Sequence, residues 1–210
     1  MKIEFFHDTI CSFCFPMSYK MRIIAEEMLN LEIVHRSFSL SWEKSNLIDM
    51  SGSLENAKNE ILEHWKHANE TDPLRRFNIE GMRNAGFDFP TSKNPLLASK
   101  AAGILWGESC YWDLFDAMQR AMFTESRDIS SVDVIGECVR ACDLDFDAWE
   151  KQFHDPSTMK KVQEDLELVL KYCINSVPTL IVDGKHKISG SLPMDKVKSY
   201  LMELGYQTDK

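Results

Sequence analysis

The sequence predicts a mixed α/β fold in which one sheet is assembled from both ends of the chain and a large all-helical insertion fills the middle. Three observations carry that expectation. Strand-forming runs occur only near residues 2–7, 31–38 and 179–190, helix-period apolar stripes fill residues 53–172, and an Asp183-Gly184 turn joins the last two strands.

Lys2-Ile3-Glu4-Phe5-Phe6-His7 alternates imperfectly but is rich in β-formers, and reads as a short, largely buried strand ending at Asp8. A helix follows almost at once. Met17, Met21, Ile24, Ala25, Met28 and Leu29 fall at helical spacing, with Pro16 in the first turn and Asn30 as the stop. Residues 31–38 give a second strand, and two strands joined through a helix should run parallel.

Between the ends, Leu97/Ala101/Ile104/Leu105, Leu114/Phe115/Met118/Met122, Ile135/Cys138/Val139/Cys142 and Val162/Leu166/Val169/Leu170 each form an apolar stripe. Asp72-Pro73, Gly86 to Pro90 and Asp155-Pro156 punctuate them as loops or helix boundaries. Thr179 to Val182 and Lys187 to Gly190 form a hairpin, followed by a helix over about 194–204 that turns Val197, Tyr200, Leu201 and Leu204 inward and stops at Gly205. The expected division is a discontinuous sheet domain, residues 1–52 and 171–210, interrupted by a helical domain, residues 53–170.

At 210 residues the chain can bury a core without staples. Its net charge of −9 and lack of a long basic run argue against a nucleic-acid partner. No stretch of about 18 apolar residues is present to span a membrane. Glu4 and the His7-Asp8 pair cut off any signal-peptide core, so the chain is expected to start here, in the cytoplasm. Six cysteines there would stay mostly as thiols, and a close pair asks for a chemical explanation.

Cys11-Ser12-Phe13-Cys14 is that pair, at the junction of the first strand and first helix. Two cysteines three residues apart on a helical turn have Cα atoms roughly 5 to 6 Å apart, within the range of a disulfide. The free amides and positive dipole at the helix start favour a thiolate at the first, whereas the second, one turn inside, is shielded and suited to resolving a mixed disulfide. Cys11 is therefore the expected attacking thiolate and Cys14 the resolving thiol. The competing reading is half of a structural zinc site, which needs two further ligands. Cys138 and Cys142 share an apolar helix face and read as core packing, with a second redox pair as the alternative; Cys110 and Cys173 read as buried thiols. Ser176-Val177-Pro178-Thr179 precedes the third strand, with Pro178 at its edge because proline cannot donate to a ladder.

This order, strand, Cys-x-x-Cys, helix, strand, then Val-Pro-Thr, hairpin and helix, resembles the thioredoxin fold in its DsbA-like form. Asp8-Thr9-Ile10-Cys11-Ser12-Phe13-Cys14 looks like the Asp-x-x-Cys-x-x-Cys opening of the FrnE-like branch. Ala85-Gly86-Phe87-Asp88-Phe89-Pro90, Asp128-Ile129, Leu144-Asp145 and Ser176-Val177-Pro178-Thr179 fall where that branch carries similar segments. The resemblance covers nearly the whole chain. It implies that Cys11 is nucleophile, Cys14 resolves, Pro178 is cis and faces the thiols, and the Val177 backbone pairs with an extended substrate. Ser12-Phe13 stands where this branch usually has Pro-Trp, and Ser176 where it usually has Gly, so the potential does not transfer. Kappa-class glutathione transferases and hydroxychromene carboxylate isomerases share the architecture but usually carry Ser where Cys11 stands.

The function expected from the sequence is a cytoplasmic thiol-disulfide oxidoreductase acting on protein or peptide thiols and disulfides, without a cofactor beyond its own dithiol. Glutathione or a thioredoxin-type protein is the expected electron donor. Ser12 and Phe13 bring no charge, which points toward reductase or isomerase over strong oxidant. His7 and Asp8 are candidates to relay a proton or tune Cys11, with an ordinary half-buried strand residue the bland reading of His7. Trp106, Tyr111, Trp112, Phe115 and Trp149 read as core first and groove second. The rival functions are a glutathione-dependent transferase or isomerase of the kappa-class type and a non-catalytic zinc-holding or chaperone-like binding module.

Overall fold

A computed structural model of the protein, describing residues 1–207, contains one four-stranded mixed sheet in the order β2-β1-β3-β4. β1 (Lys2–His7) and β2 (Glu32–Ser37) run parallel, Ile3 opposite Ile33 and His7 opposite Ser37, with α1 (Cys14–Glu27) as the crossover. From the far end of the chain β3 (Thr179–Val182) pairs antiparallel with β1, Phe5 opposite Leu180. β4 (His186–Ser189) closes the hairpin, whose Asp183 and Gly184 adopt φ of +49° and +69°, the handedness that tight hairpin turns require.

Side chains alternate across the sheet, so each strand feeds two cores. Ile3, Phe5, Leu180 and Val182 join Met17, Met21 and Ile24 of α1 and Val197 and Leu201 of α10 (Met194–Glu203). Phe6 and Ile181 point the other way, against Ile174.

Between β2 and β3 lie α2 (Lys44–Ser51), α3 (Leu54–Thr71), α4 (Ile79–Asn84), α5 (Lys93–Trp106), α6 (Glu108–Phe123), α7 (Val132–Ala141), α8 (Phe146–Phe153) and α9 (Pro156–Lys171). The helix boundaries follow local chemistry. Asp72 ends α3, and the Asp155 carboxylate accepts from the Ser157 amide at 2.8 Å with Pro156 as the first residue of α9. α6 serves both cores: Tyr111, Trp112 and Phe115 pack in the sheet core, Leu114, Met118 and Met122 in the helical one. A buried charge cluster adds a second tie. Asp165 of α9 accepts from Lys100 Nζ of α5, from Arg36 Nη1 at 3.1 Å and from the Ser37 amide at 2.9 Å.

Several sequence expectations are corrected. α1 begins at Cys14, three residues before Met17, and ends at Glu27, before Asn30. α2 was not anticipated; it is eight residues long and buries only Leu47, too little for a periodic signal. Leu170 is exposed, because the buried side of α9 centres on Val162, Asp165 and the partly buried Val169, and the next residue is turned about 100° away. Ile104 and Leu105 in the last turn of α5 and Tyr200 of α10 are also exposed. Cys110 is half-buried and Cys173 exposed, at φ +50° in the turn after α9, so neither is a buried thiol.

Candidate active site

Two successive tight turns carry the chain out of β1 and into α1. The Cys11 amide donates to the Asp8 carbonyl at 3.1 Å, and the Cys14 amide to the Cys11 carbonyl at 3.0 Å. Cys11 thus stands just ahead of the helix, and Cys14 is its first residue, a shift of one turn from the sequence expectation. The helix start has no side-chain cap and no acidic residue in its first turn, so no side chain competes for its positive end.

Both cysteines are free thiols. Cys11 keeps 4% of its surface accessible, and Cys14 none. The Cys14 thiol is pushed well above the usual cysteine range, first by burial, then by its hydrogen bond to and the charge of Cys11. The Asp8 carboxylate adds to this and the Asp8 main chain opposes it. Across from the pair, the Val177-Pro178 peptide bond is cis and the Val177 carbonyl accepts from Cys11 Sγ at 3.5 Å. Ser12 is buried beside the thiols, and the half-buried Phe13 packs against both cores.

Asp8 and His7, adjacent in sequence, have separate surroundings. Asp8 is fully buried and accepts from the Leu40 amide at 2.7 Å, the Ser92 hydroxyl at 2.6 Å and the Ile10 amide at 3.2 Å. Burial pushes its carboxyl up to about 6, against the pull of those hydrogen bonds. His7 bonds His35 instead, Nε2 to Nδ1 at 3.1 Å, with its ring 4.0 Å from Phe115. Burial holds both imidazoles well below their ordinary range. Asp8 is therefore the acidic group beside the dithiol, and His7 is a fully buried core residue, not half-buried.

A cavity of about 240 Å³ opens beside Cys11, walled by Phe13, Leu47, Met50, Ile61, Phe89 and Val177 among others. His64 is at its wall, and among the described residues no Lys or Arg lines it. Leu40 and Met50 are exposed beside it. Sequence reasoning missed Leu40, Leu47, Met50 and Ser92, all of which lie far from the Cys-x-x-Cys segment. Tyr111, Trp112, Phe115 and Trp149 are buried core and line no part of this cavity, and Trp106 is half-buried. Cys138 and Cys142 are free, and burial pushes both up to about 11, which makes them poor nucleophiles. Among the described residues, no three His, Cys, Asp or Glu side chains gather as a metal-binding set.

A thioredoxin-type sheet with a dithiol at the start of its first helix and a proline loop bonded to the leading sulfur defines the disulfide-exchange class of fold. Residues 2–202 match the model of the DSBA-like thioredoxin domain, and the chain belongs to that family. Two ClpXP adapter proteins named SpxH are similar in sequence. That of Shouchella clausii is 30% identical over 103 residues, 46% of this chain and 34% of its own length. That of Bacillus subtilis is 23% identical over 217 residues, 97% of this chain and 67% of its own. The matched region thus spans about a third of one relative and two thirds of the other. In structure, the cytosolic disulfide reductase DsbM from Pseudomonas aeruginosa superposes with a TM-score of 0.73 at 18% identity, covering 97% of this chain and 98% of that one. DsbM has also been solved with GSH.

Proposed function

We propose that this protein is a thiol-disulfide oxidoreductase acting on polypeptide disulfides, working as a reductase or isomerase in the cytoplasm. The Cys11 thiolate attacks one sulfur of a substrate disulfide, forming a Cys11-substrate disulfide and expelling the other substrate sulfur as thiolate. Cys14 then gives its proton to the Asp8 carboxylate and attacks Cys11 Sγ. That step closes the Cys11-Cys14 disulfide and releases the second substrate thiolate, so two electrons pass from the dithiol to the substrate. An external thiol, glutathione or a thioredoxin-type protein, returns the pair to the reduced form.

The observation that carries this reading is the placement of the two thiols: Cys14 fully buried as the first residue of α1, and Cys11 just ahead of it with its sulfur on the Val177 carbonyl. A thiol held so far above its ordinary range needs a base at hand, and a carboxyl near 6 is ionised at neutral pH. The apolar walls of the cavity beside Cys11 support a polypeptide substrate that offers an apolar side chain. An extended substrate backbone pairs with Val177 while a neighbouring apolar side chain fills the cavity.

A second reading, a binding module for a partner protein, draws support from the two adapter-named relatives. Catalysed reduction of a disulfide-bonded protein separates the two. Turnover that falls to the uncatalysed rate in Cys11→Ser supports the oxidoreductase, and absence of turnover in the wild-type chain, with partner binding retained in Cys11→Ser, supports the binding module.

A further inference from the structure

Asp8 receives part of its hydrogen-bonding shell from Ser92, 84 positions along the chain. Ser92 is the N-cap residue of α5, where a serine hydroxyl ordinarily accepts from the free amides of the helix. Here it makes no such bond. Its backbone is helical (φ −73°, ψ −29°), and Oγ instead donates to Asp8 Oδ2 at 2.6 Å while accepting the Ser41 amide at 3.1 Å. The Ser92 amide in turn donates to the Ser41 carbonyl at 2.7 Å. Ser92 is fully buried, and this clasp holds the segment whose Leu40 amide is the carboxylate's other close donor.

We propose that Ser92 is a positioning residue for disulfide exchange: its hydroxyl holds the Asp8 carboxylate ionised and aimed so that it takes the proton of Cys14 as Cys14 attacks the mixed disulfide. This rests on the role given to Asp8 above. The other hydrogen-bond donors to the carboxylate are main-chain amides, Ile10 within the turn and Leu40 in the segment after β2; Ser92 supplies the side-chain donor, and it comes from the helical insertion. A donated hydrogen bond favours the ionised carboxyl, opposing the burial that favours the protonated one. Asp8 forms no ion pair among the described residues. The Asp8 charge acts on Cys14 of α1 and on Tyr111 of α6, whose hydroxyl stays protonated far above neutrality because of burial, and the adjacent His7 is held neutral by its own burial. A lone serine hydroxyl therefore carries weight that a cation would otherwise carry. In the step itself the proton passes from Cys14 Sγ to Asp8, the Cys14-Cys11 bond forms, the Cys11-substrate bond breaks and the substrate leaves as thiolate. Ser92 keeps its own proton throughout.

The test is the pH profile of resolution in a single turnover: the rate of peptide release from a preformed Cys11-peptide disulfide, in wild type, Ser92→Ala, Ser92→Thr and Asp8→Asn. Loss of the hydroxyl should raise the acidic limb by about one pH unit, so that the Ser92→Ala rate at pH 6 falls about fivefold more than its rate at pH 9. Ser92→Thr should restore the wild-type limb. If Ser92→Ala does not fold, Ser92→Cys, a weaker donor of similar shape, should give a smaller shift in the same direction. A limb that stays in place in the folded Ala or Cys variant while Asp8→Asn abolishes it overturns the role of Ser92 and leaves that of Asp8 standing. A limb unchanged in Asp8→Asn overturns the reading of Asp8 itself.

Discussion

The Cys11 thiol donates to the carbonyl oxygen of Val177, 166 positions away, at 3.5 Å. The bond lasts only while Cys11 is protonated. In the mechanism proposed above, loss of that proton removes the hydrogen bond to Val177, the residue proposed to pair with an extended substrate backbone.

Cys11 should be alkylated well before Cys14. At pH 7, iodoacetamide followed by mass spectrometry is expected to modify Cys11 at least about 100-fold faster than Cys14, whose thiol is both buried and pushed up. The exposed Cys173 supplies the reference rate within the same chain. Prior modification of Cys14 contradicts the assignment of roles.

Asp8 should weaken the fold in return for its chemistry. Its folded carboxyl sits at about 6 against 3.8 in the unfolded chain, so its favourable contribution is complete below pH 3.8 and is lost as pH rises through 6. Asp8→Asn does not titrate. Its stability relative to wild type is expected to improve by about 2 kcal/mol between pH 4 and pH 8, measured by urea unfolding at both values. A constant difference between the two proteins contradicts this.

His7 and His35 act in the opposite sense. Both are held well below 6.5 in the folded chain by burial and regain their ordinary value on unfolding. Stability from this pair is therefore intact above pH 6.5 and falls as acid is added, by up to about 2.7 kcal/mol per pH unit when both titrate. Asp8 offsets about half of that slope below pH 6. Proton uptake on unfolding at pH 5.5, read from the pH dependence of the urea midpoint, checks it, and a flat profile between pH 7 and 5 contradicts it.

Asp165 anchors the helical insertion to β2. Asp165→Ala leaves the Lys100 ammonium buried without its carboxylate and the Ser37 amide without its acceptor, and should lower stability by about 3 to 5 kcal/mol. Lys100→Met should cost less, because Asp165 retains Arg36. Chemical unfolding of the two variants gives the order directly.

The frame of the molecule was legible in the sequence because it rests on short-range signals. Strand composition marked β1 and β2, the Asp183-Gly184 turn marked the hairpin, and the Cys-x-x-Cys segment and Val177-Pro178 marked the two sides of the site. What stayed hidden depends on distant partners. Leu47 and Met50 lie on a helix too short to show a period. Ser92 drew no notice in the sequence, and its bond to Asp8 spans 84 positions. His7 and Asp8 are neighbours that the sequence offered as one unit, yet one pairs with His35 inside the core and the other is enclosed beside Cys14. Leu170 and Tyr200 kept helical spacing but fell outside the buried face, which depends on what the helix packs against.

The most direct test is a trap. Cys14→Ser removes the resolving sulfur, so a substrate disulfide attacked by Cys11 cannot be released. Incubated with a disulfide-bonded protein, this variant should accumulate a covalent complex that is cleaved by dithiothreitol and maps by mass spectrometry to Cys11, and Cys11→Ser should form none. A complex carried by Cys14 in Cys11→Ser, or no covalent species in Cys14→Ser under conditions where the wild-type chain turns over, would contradict exchange through Cys11.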